Sequence, residues 1–444
     1  MTSARNRELL ALVPVAVLLT AGFAGVFSQE NEQLGNLSLV YGAYFLAICL
    51  ATHVYLRIRL PNADPYLFPL LATLTAFGLV MVYRIDETLA RDQANWFVLG
   101  LVLFALTIHF LRDYEVLERY RYTIAIGGLL LLLAPRLPGI GQQVNGAYLG
   151  VKLGPIAFQP AEFTKLAIIV FLASYLREHR EVLIVGARRV LGVTLPPLKH
   201  FGPLLVVWGA SMFMLVFIRD LGSSLMFFAA FLALLYVATG RFSFVVIGML
   251  MFLVGAWFFA STVPHVHDRV EIWLHPYNDP QGSGYQILNS IFAQADGGLF
   301  GKGFGQALIT VPGTNQALLP AAQTDTIYSL IVNEVGLFGA VGVILVYLLV
   351  TARGFKIALL ASDGFSKLLA VGLSSVFAIQ AFVIIGGVTR VIPLTGVTLP
   401  LISYGGSSIV ANFVLLALLL LVSDRARREA AEPAGRVATM GAAA

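Results

Sequence analysis

The 444-residue chain has little charge and almost no cysteine. Asp, Glu, Lys and Arg make up 12% of it, against 58% hydrophobic residues. Soluble domains carry about 25% charged residues, so an ordinary water-soluble fold is excluded. The single cysteine, Cys49, excludes an intrachain disulfide. There is no Walker A loop, no G-x-S-x-G and no H-E-x-x-H, which removes the nucleotide-loop, serine-hydrolase and zinc-protease classes marked by those motifs. "GKGFG" lacks the preceding strand and the Lys-Ser/Thr ending of a phosphate loop. No repeat of about 20–50 residues recurs, and the two halves show no matching Gly/Pro-broken helices of an inverted-repeat transporter. His265, His267 and His275 have no acidic pair or cysteine at ligand spacing.

What the chain has is apolar runs, with a mean hydropathy of +0.83. A helix needs about 20 apolar residues to cross a hydrocarbon core of roughly 30 Å. Candidate spans begin at Glu8, Leu37, Pro65, Ala94, Tyr122, Phe158, Pro203, Leu221, Phe242, Thr326, Leu368 and Ser407. The expected fold is all-α: a polytopic membrane helix bundle of about twelve transmembrane helices with a long ordered extracytoplasmic loop. With the N-terminus inside, cytoplasmic loops hold twenty Lys/Arg and outer loops eight, which predicts that both termini are cytoplasmic. The net charge of +5 follows from that topology and from anionic lipid headgroups, and no nucleic-acid partner is read from it. The run after Arg5 and Arg7, with small residues near its end, has the layout of a signal peptide; it is also as long as a span and a second span follows closely, so an uncleaved anchor is the favoured reading of the two. The basic stretch 177–200 reads as an interfacial helix, and the charged Ala/Gly-rich segment 424–444 as a mobile cytoplasmic tail.

The outer loop 264–325 is too long for a plain connector and too rich in aromatic and aliphatic residues for disorder. Its "GYQILNSIFAQADGG" predicts an amphipathic helix with Ile287, Leu288 and Ile291 on one face, ended by Gly297-Gly298. Before that helix lies "HPYNDPQGSGYQ", where Asp279 reads first as a turn residue. Charges inside spans cost about 2.5 to 3.5 kcal/mol each and need partners. Glu162 and Lys165, three residues apart on one helix face, pair with each other or with another helix. Glu334, nine residues after Asp325, must face the bundle or a polar cavity. Arg219, in a short outer turn, reads as a lipid-phosphate contact or a snorkelling side chain.

The segment "VIPLTGVTLPLISYGGSSIVANF" (391–413) closely resembles the signature of the SEDS family (shape, elongation, division and sporulation), which includes RodA, FtsW and SpoVE. "NGAYLGVKLGPIAFQPAEFTKL", "RDLGSSLMFF", "NDPQGSGYQILNSIFAQADGGLFGKGFG" and "TDTIYSLIVNEVGLFGA" resemble it in the same order, from about Pro65 to Val422, with wording most like the actinobacterial RodA branch. The resemblance implies a ten-helix core at 61–423 (outer loop 264–325), preceded by a helix pair at 1–60. It also implies a multi-pass peptidoglycan glycosyltransferase of the bacterial plasma membrane that polymerises lipid II at the outer face for cell elongation and shape, or for division. A class B penicillin-binding protein, the transpeptidase, and membrane lipids are the implied partners. The family's essential acid falls on Asp279, Tyr285 and Gln286 complete that motif, Glu162 and Lys165 fall at a central cavity, and Ser403 and Tyr404 belong to the signature. Tyr148-Leu149-Gly150 stands where the family has Arg-Arg-Trp, so an anion contact at those arginines does not carry over.

Joining two lipid II molecules needs a sugar hydroxyl to attack an anomeric carbon whose leaving group is a lipid diphosphate. Asp279 is the expected general base of a single inverting displacement. The departing diphosphate needs cations: Arg269 and Lys302, which flank Asp279 in the same loop, Arg219, Lys152, Arg390, or Mg²⁺ or Mn²⁺ in their place. The alternative is a lipid II flippase, in which Glu162, Lys165 and Glu334 would pass the headgroup through the bundle. A third reading is a non-catalytic scaffold for the transpeptidase.

Overall fold

A computed structural model describes residues 4–30, 36–144, 147–154, 156–185, 188–190, 193–195, 209, 218, 220–311, 313, 314 and 316–441. The helices in chain order are α1 (Ala4–Glu30), α2 (Asn36–Arg59), α3 (Leu67–Ile85), α4 (Glu87–Phe110), α5 (Val116–Arg119), α6 (Arg121–Leu133) and α7 (Pro160–Val185). Then follow α8 (Leu221–Thr239), α9 (Phe242–Thr262), α10 (Pro264–Leu274), α11 (Tyr285–Gly297), α12 (Ile327–Leu360), α13 (Gly364–Val388) and α14 (Gly406–Gly441). Nine of these, among the described residues, are long and apolar enough to cross a membrane. The protein is a multi-pass membrane helix bundle.

The other three expected spans differ for identifiable reasons. The run from Tyr122 forms the 13-residue α6, only about 20 Å long at 1.5 Å per residue. The run from Phe158 becomes α7, whose Glu162, Lys165 and Arg177 keep it from being uniformly apolar. The run from Pro203 lies outside the described residues, apart from isolated positions.

Several helix starts are written in the sequence as an aspartate. Asp86 accepts from Thr88 N (2.7 Å) and Leu89 N (3.2 Å) at the start of α4, Asp220 from Ser223 N (2.9 Å) at α8, and Asp363 from Ser366 N (2.8 Å) at α13. Each satisfies donors that an uncapped helix leaves unpaired. The helices α13 and α14 are the most enclosed, while α9 lies at the rim with most of its surface open. α14 packs on α4, α12 on α13, and α7 on both α13 and α8.

The N-terminal pair is docked by polar as well as apolar contacts. The buried Glu8 pairs with Arg5 (2.5 Å) and His53 (2.7 Å), joining α1 to α2, and Arg5 donates to the carbonyl of Ala63. The buried Asp64 is paired with Arg427, and Arg353 lies 3.6 Å from it. Arg425 pairs with Glu115 (2.7 Å) and Glu429 (2.8 Å). The boundary expected at 424 therefore falls inside a continuous helix, anchored at Arg425 and Arg427.

The mostly helical bundle also carries two small sheets. Gly141–Val144 (β1), Ala147–Leu153 (β2) and Ile156–Phe158 (β3) form an antiparallel sheet in the order β1-β2-β3. In the basic stretch expected to be an interfacial helix, Arg188–Val190 (β4) pairs with Val193–Leu195 (β5). Valine and threonine favour that extended pairing.

Candidate functional site

The loop helix appears where its pattern put it. α11 spans Tyr285–Gly297, buries Ile287, Leu288 and Ser290, and stops at Gly298, which takes φ +55. Ile291 is half-buried beside them.

Asp279 stands exposed in the turn before α11. Its Oδ1 accepts from Gly282 N (3.0 Å) and its Oδ2 from Ser283 N (2.8 Å). The Ser283 and Gly282 N–H groups hold the carboxyl below the usual carboxylate range, so it is ionised at neutral pH. The glycines of "GSG" are steric requirements of this turn. A Cβ on Gly282 would overlap Asp279 Oδ2, and one on Gly284 would overlap the carbonyl oxygen of Pro276. A carboxylate offers about four lone-pair sites, and with the two N–H groups and the Ser283 side chain on it, about one remains open to a substrate hydroxyl.

Asp325 lines a cavity of about 420 Å³, and the Gln286 side chain favours its charged form. That volume is within the range of ligand pockets. The β-sheet contributes Gln142, Leu149 and Phe158 to the cavity wall, and the signature segment contributes Thr395 and Tyr404. Arg269 lines it as well, and its Nη1 donates to Leu394 O at 3.0 Å. Asp279 and Lys302 do not line it. Burial pushes the Asp325 carboxyl up, and the guanidinium of Arg269 opposes that rise. A polar string continues inward from the wall: Gln380 donates to the carbonyl of the wall residue Thr398 (3.1 Å) and to Glu162 (3.2 Å). Lys165, fully buried, donates to Glu162 (2.5 Å) and to Gln380 Oε1 (2.7 Å).

Other residues expected at the site have different surroundings. Ser403 is buried, accepts from Leu399 N (2.9 Å) and donates to Thr324 O (2.8 Å), so its hydroxyl shapes the chain. Tyr285 donates to Ala317 O (3.0 Å), tying the turn to the far end of the loop. Lys302 pairs with Asp296. Arg390 donates to Trp273 O and Leu274 O (both 2.8 Å), closing the end of α10. Lys152 is exposed on β2, and Arg219 lies outside the described residues. Arg269 is the expected cation that the cavity brings beside Asp325 and Tyr404.

Three residues at or near the site escape sequence reasoning. Asp325 and Gln380 carry no local pattern that marks them as neighbours of Gln286 and Glu162. Arg84 is the third: its Nε meets Glu334 at 3.0 Å, and it donates to the carbonyls of Gly305 (2.9 Å) and Ala307 (2.8 Å). Glu334 is thus held by an ion pair reaching from α3.

Among the described residues no group of three or more His, Cys, Asp or Glu could hold a metal. Mg²⁺ is commonly held by one or two carboxylates plus substrate phosphates and water, and only in that form does this site suit it.

The fold is a bundle of membrane helices in which one long connecting loop carries an exposed, ionised acid, Asp279, and another stretch of the same loop, with Asp325, lines a cavity. The chain belongs to the FtsW/RodA/SpoVE family of cell cycle proteins, whose family model matches residues 65–428. The peptidoglycan glycosyltransferase RodA of Mycobacterium tuberculosis is 40% identical over 435 residues, covering 96% of this chain and 91% of that protein. That coverage leaves too few residues outside for the helix pair preceding the family core to be absent from the relative. Stage V sporulation protein E of Bacillus subtilis is 33% identical over 80% of this chain and 95% of its own. Among solved structures, a chain from a peptidoglycan synthase complex that coordinates polymerization and crosslinking has a TM-score of 0.65 at 28% identity, covering 82% of this chain and 98% of that one. The Rod shape determining protein RodA of Thermus thermophilus has a TM-score of 0.59 at 25% identity, covering 82% and 97%.

Proposed function

We propose that this protein is a peptidoglycan glycosyltransferase of the bacterial plasma membrane that polymerises lipid II, with Asp279 as the general base. The observation that carries the role of Asp279 is its geometry: an ionised, exposed carboxylate fixed by two backbone N–H groups, with a lone pair free, at the edge of the loop that borders the cavity. An acceptor hydroxyl of one lipid II placed on Asp279 loses its proton as it attacks the anomeric carbon of the next. The α-linked donor gives a β-linked product in one displacement. The lipid diphosphate departs with increased negative charge, and Arg269 is the cavity's guanidinium for it. A bound Mg²⁺ or Mn²⁺ would supply further neutralisation of that charge.

The intramembrane charges favour this reading over a flippase. Lys165 is enclosed by Glu162 and Gln380, and Glu334 is paired with Arg84. Each is committed to a protein partner rather than spaced along a path. The catalytic face is the outer one, both termini are cytoplasmic, and the partner is a class B penicillin-binding protein; the Lys/Arg asymmetry and the relatives above support these assignments. The test is purified lipid II given to the full-length protein with its partner transpeptidase. Glycan polymer is the expected product; lipid II translocation without polymer would establish the flippase instead.

A further inference from the structure

The helix α12 breaks at Gly336, and the long loop crosses it there. Gly301 N donates to Gly297 O (2.9 Å), Lys302 N to Asn333 O (2.9 Å) and Gly303 N to Glu334 O (3.0 Å). In the other direction Leu337 N donates to Gly298 O (3.0 Å) and Phe338 N to Leu299 O (3.2 Å). Non-helical backbone is tolerated at membrane depth only where protein takes up its polar groups, and this exchange of bonds does so. The side chains beside it are apolar and open. Phe300 is 79% exposed and stacks on Phe338, itself 64% exposed, with ring centroids 5.3 Å apart. Leu299 and Leu337 are exposed as well.

The height of this patch follows from α12. Residues 337–352 carry no charge, and Arg353 comes next. Arg353 stands at a polar end of the bundle, 3.6 Å from Asp64, where Arg427 is paired too. Phe338 precedes Arg353 by 15 residues, or about 22 Å of helix in a hydrocarbon core of roughly 30 Å. With Arg353 at one boundary, Phe338 and the ring stacked on it lie roughly 7 Å inside the other. Interfacial helices sink their apolar faces about as far, some 5–10 Å. Val341, Leu345 and Leu348 continue the exposed face along α12, so the patch is continuous with the open side of a span. Lys302, two residues beyond Phe300, instead pairs with Asp296, and both are well exposed, as charges at a water boundary are. Apolar rings and charges are thus sorted by height on one loop.

We propose that Leu299 and Phe300 form a membrane wedge: the tip of the long loop is inserted among the lipid chains of the leaflet on its side, and the break in α12 at Gly336 is the cleft that seats it. α11, with 13 residues or about 20 Å, runs from the wedge to the turn of Asp279, so the bilayer sets the height of that turn. The insertion stands apart from the glycosyltransferase reading. Its consequence for activity rests on that reading: a base at fixed height meets the headgroup of a lipid-linked substrate at a fixed reach.

The test places single nitroxide labels on the full-length protein in phospholipid nanodiscs, in a Cys49→Ala background. Phe300→Cys and Leu299→Cys carry the question, with Leu345→Cys as the lipid-facing reference and Ser362→Cys as the water-facing one. Labels at 299 and 300 should collide more often with oxygen than with a nickel chelate, as the label at 345 does. The opposite ratio, as at 362, overturns the wedge, and so do low rates with both reagents, the mark of a protein contact. Leu299→Cys decides the matter if Phe300→Cys fails to fold. In lipid II polymerisation with the transpeptidase, Phe300→Asp should lower the rate at subsaturating substrate about tenfold, while Phe300→Leu stays within about twofold of wild type. A wild-type rate in folded Phe300→Asp overturns the positioning role. A wild type that makes no polymer would end the glycosyltransferase reading, while the collision rates would still decide the wedge.

Discussion

At the scale of single residues, Asp279 serves both as a turn former and as the proposed base. Its hydrogen bonds to Gly282 and Ser283 are those of a turn-forming aspartate, and the same two bonds keep it ionised and aimed. The sign of its pH dependence follows. A carboxyl held below its ordinary value stays charged as pH falls, so protonation of Asp279 should limit kcat only below the ordinary carboxylate range. A pH–rate profile at saturating lipid II measures this; an acid limb near neutrality that disappears in Asp279→Asn would contradict it. Gly282→Ala should displace the carboxylate, because the added Cβ overlaps Oδ2. Polymerisation should collapse with the melting temperature nearly unchanged. Lys165→Met leaves Glu162 buried without its ammonium, and breaking such a pair costs about 3–5 kcal/mol. Thermal unfolding in detergent should show the loss, and adding Glu162→Gln should recover most of it. The Glu162–Lys165 pair was legible from spacing alone, because three residues make one helix face. Gln380, Asp325 and Arg84 were not, since each meets its partner across a sequence separation that no local pattern encodes.

At the scale of elements, the amphipathic period of α11 and its glycine stop were readable in advance, and the pairing of β1, β2 and β3 was not. Gly-rich, weakly alternating segments specify their register poorly, and the sheet at 141–158 is of that kind. The kink in α12 was also hidden. Gly336 takes φ +68, which frees the carbonyls of Asn333 and Glu334 to accept from Lys302 N (2.9 Å) and Gly303 N (3.0 Å). The long loop is thereby sewn into a membrane helix, and a Cβ on Gly336 or on Gly301 would overlap the other side of that contact. Gly336→Ala adds left-handed strain of about 1–3 kcal/mol to this overlap. Amide exchange at Lys302 and Gly303 should quicken while the amides of α13 stay protected. Equal protection of residues 302 and 303 in both proteins would show that the kink does not hold the loop.

At the scale of the whole molecule, hydropathy identified a membrane bundle and nine of its spans, because the bilayer imposes length and composition on each helix independently. The packing of those helices on one another comes from contacts distant in sequence. Orientation is open to a direct check. With the buried Cys49 replaced by alanine, Ser283→Cys should react with a membrane-impermeant maleimide on intact cells and Ser362→Cys should not. The reverse labelling would invert the topology and put the proposed base on the wrong side of the membrane. The most direct measurement of the central claim is lipid II polymerisation by the purified full-length protein with its transpeptidase, comparing wild type with the nearly isosteric Asp279→Asn. The account predicts polymer from wild type and a fall of about 10² to 10⁴ in kcat for a folded variant that still binds lipid II. Wild-type kcat in Asp279→Asn would contradict it.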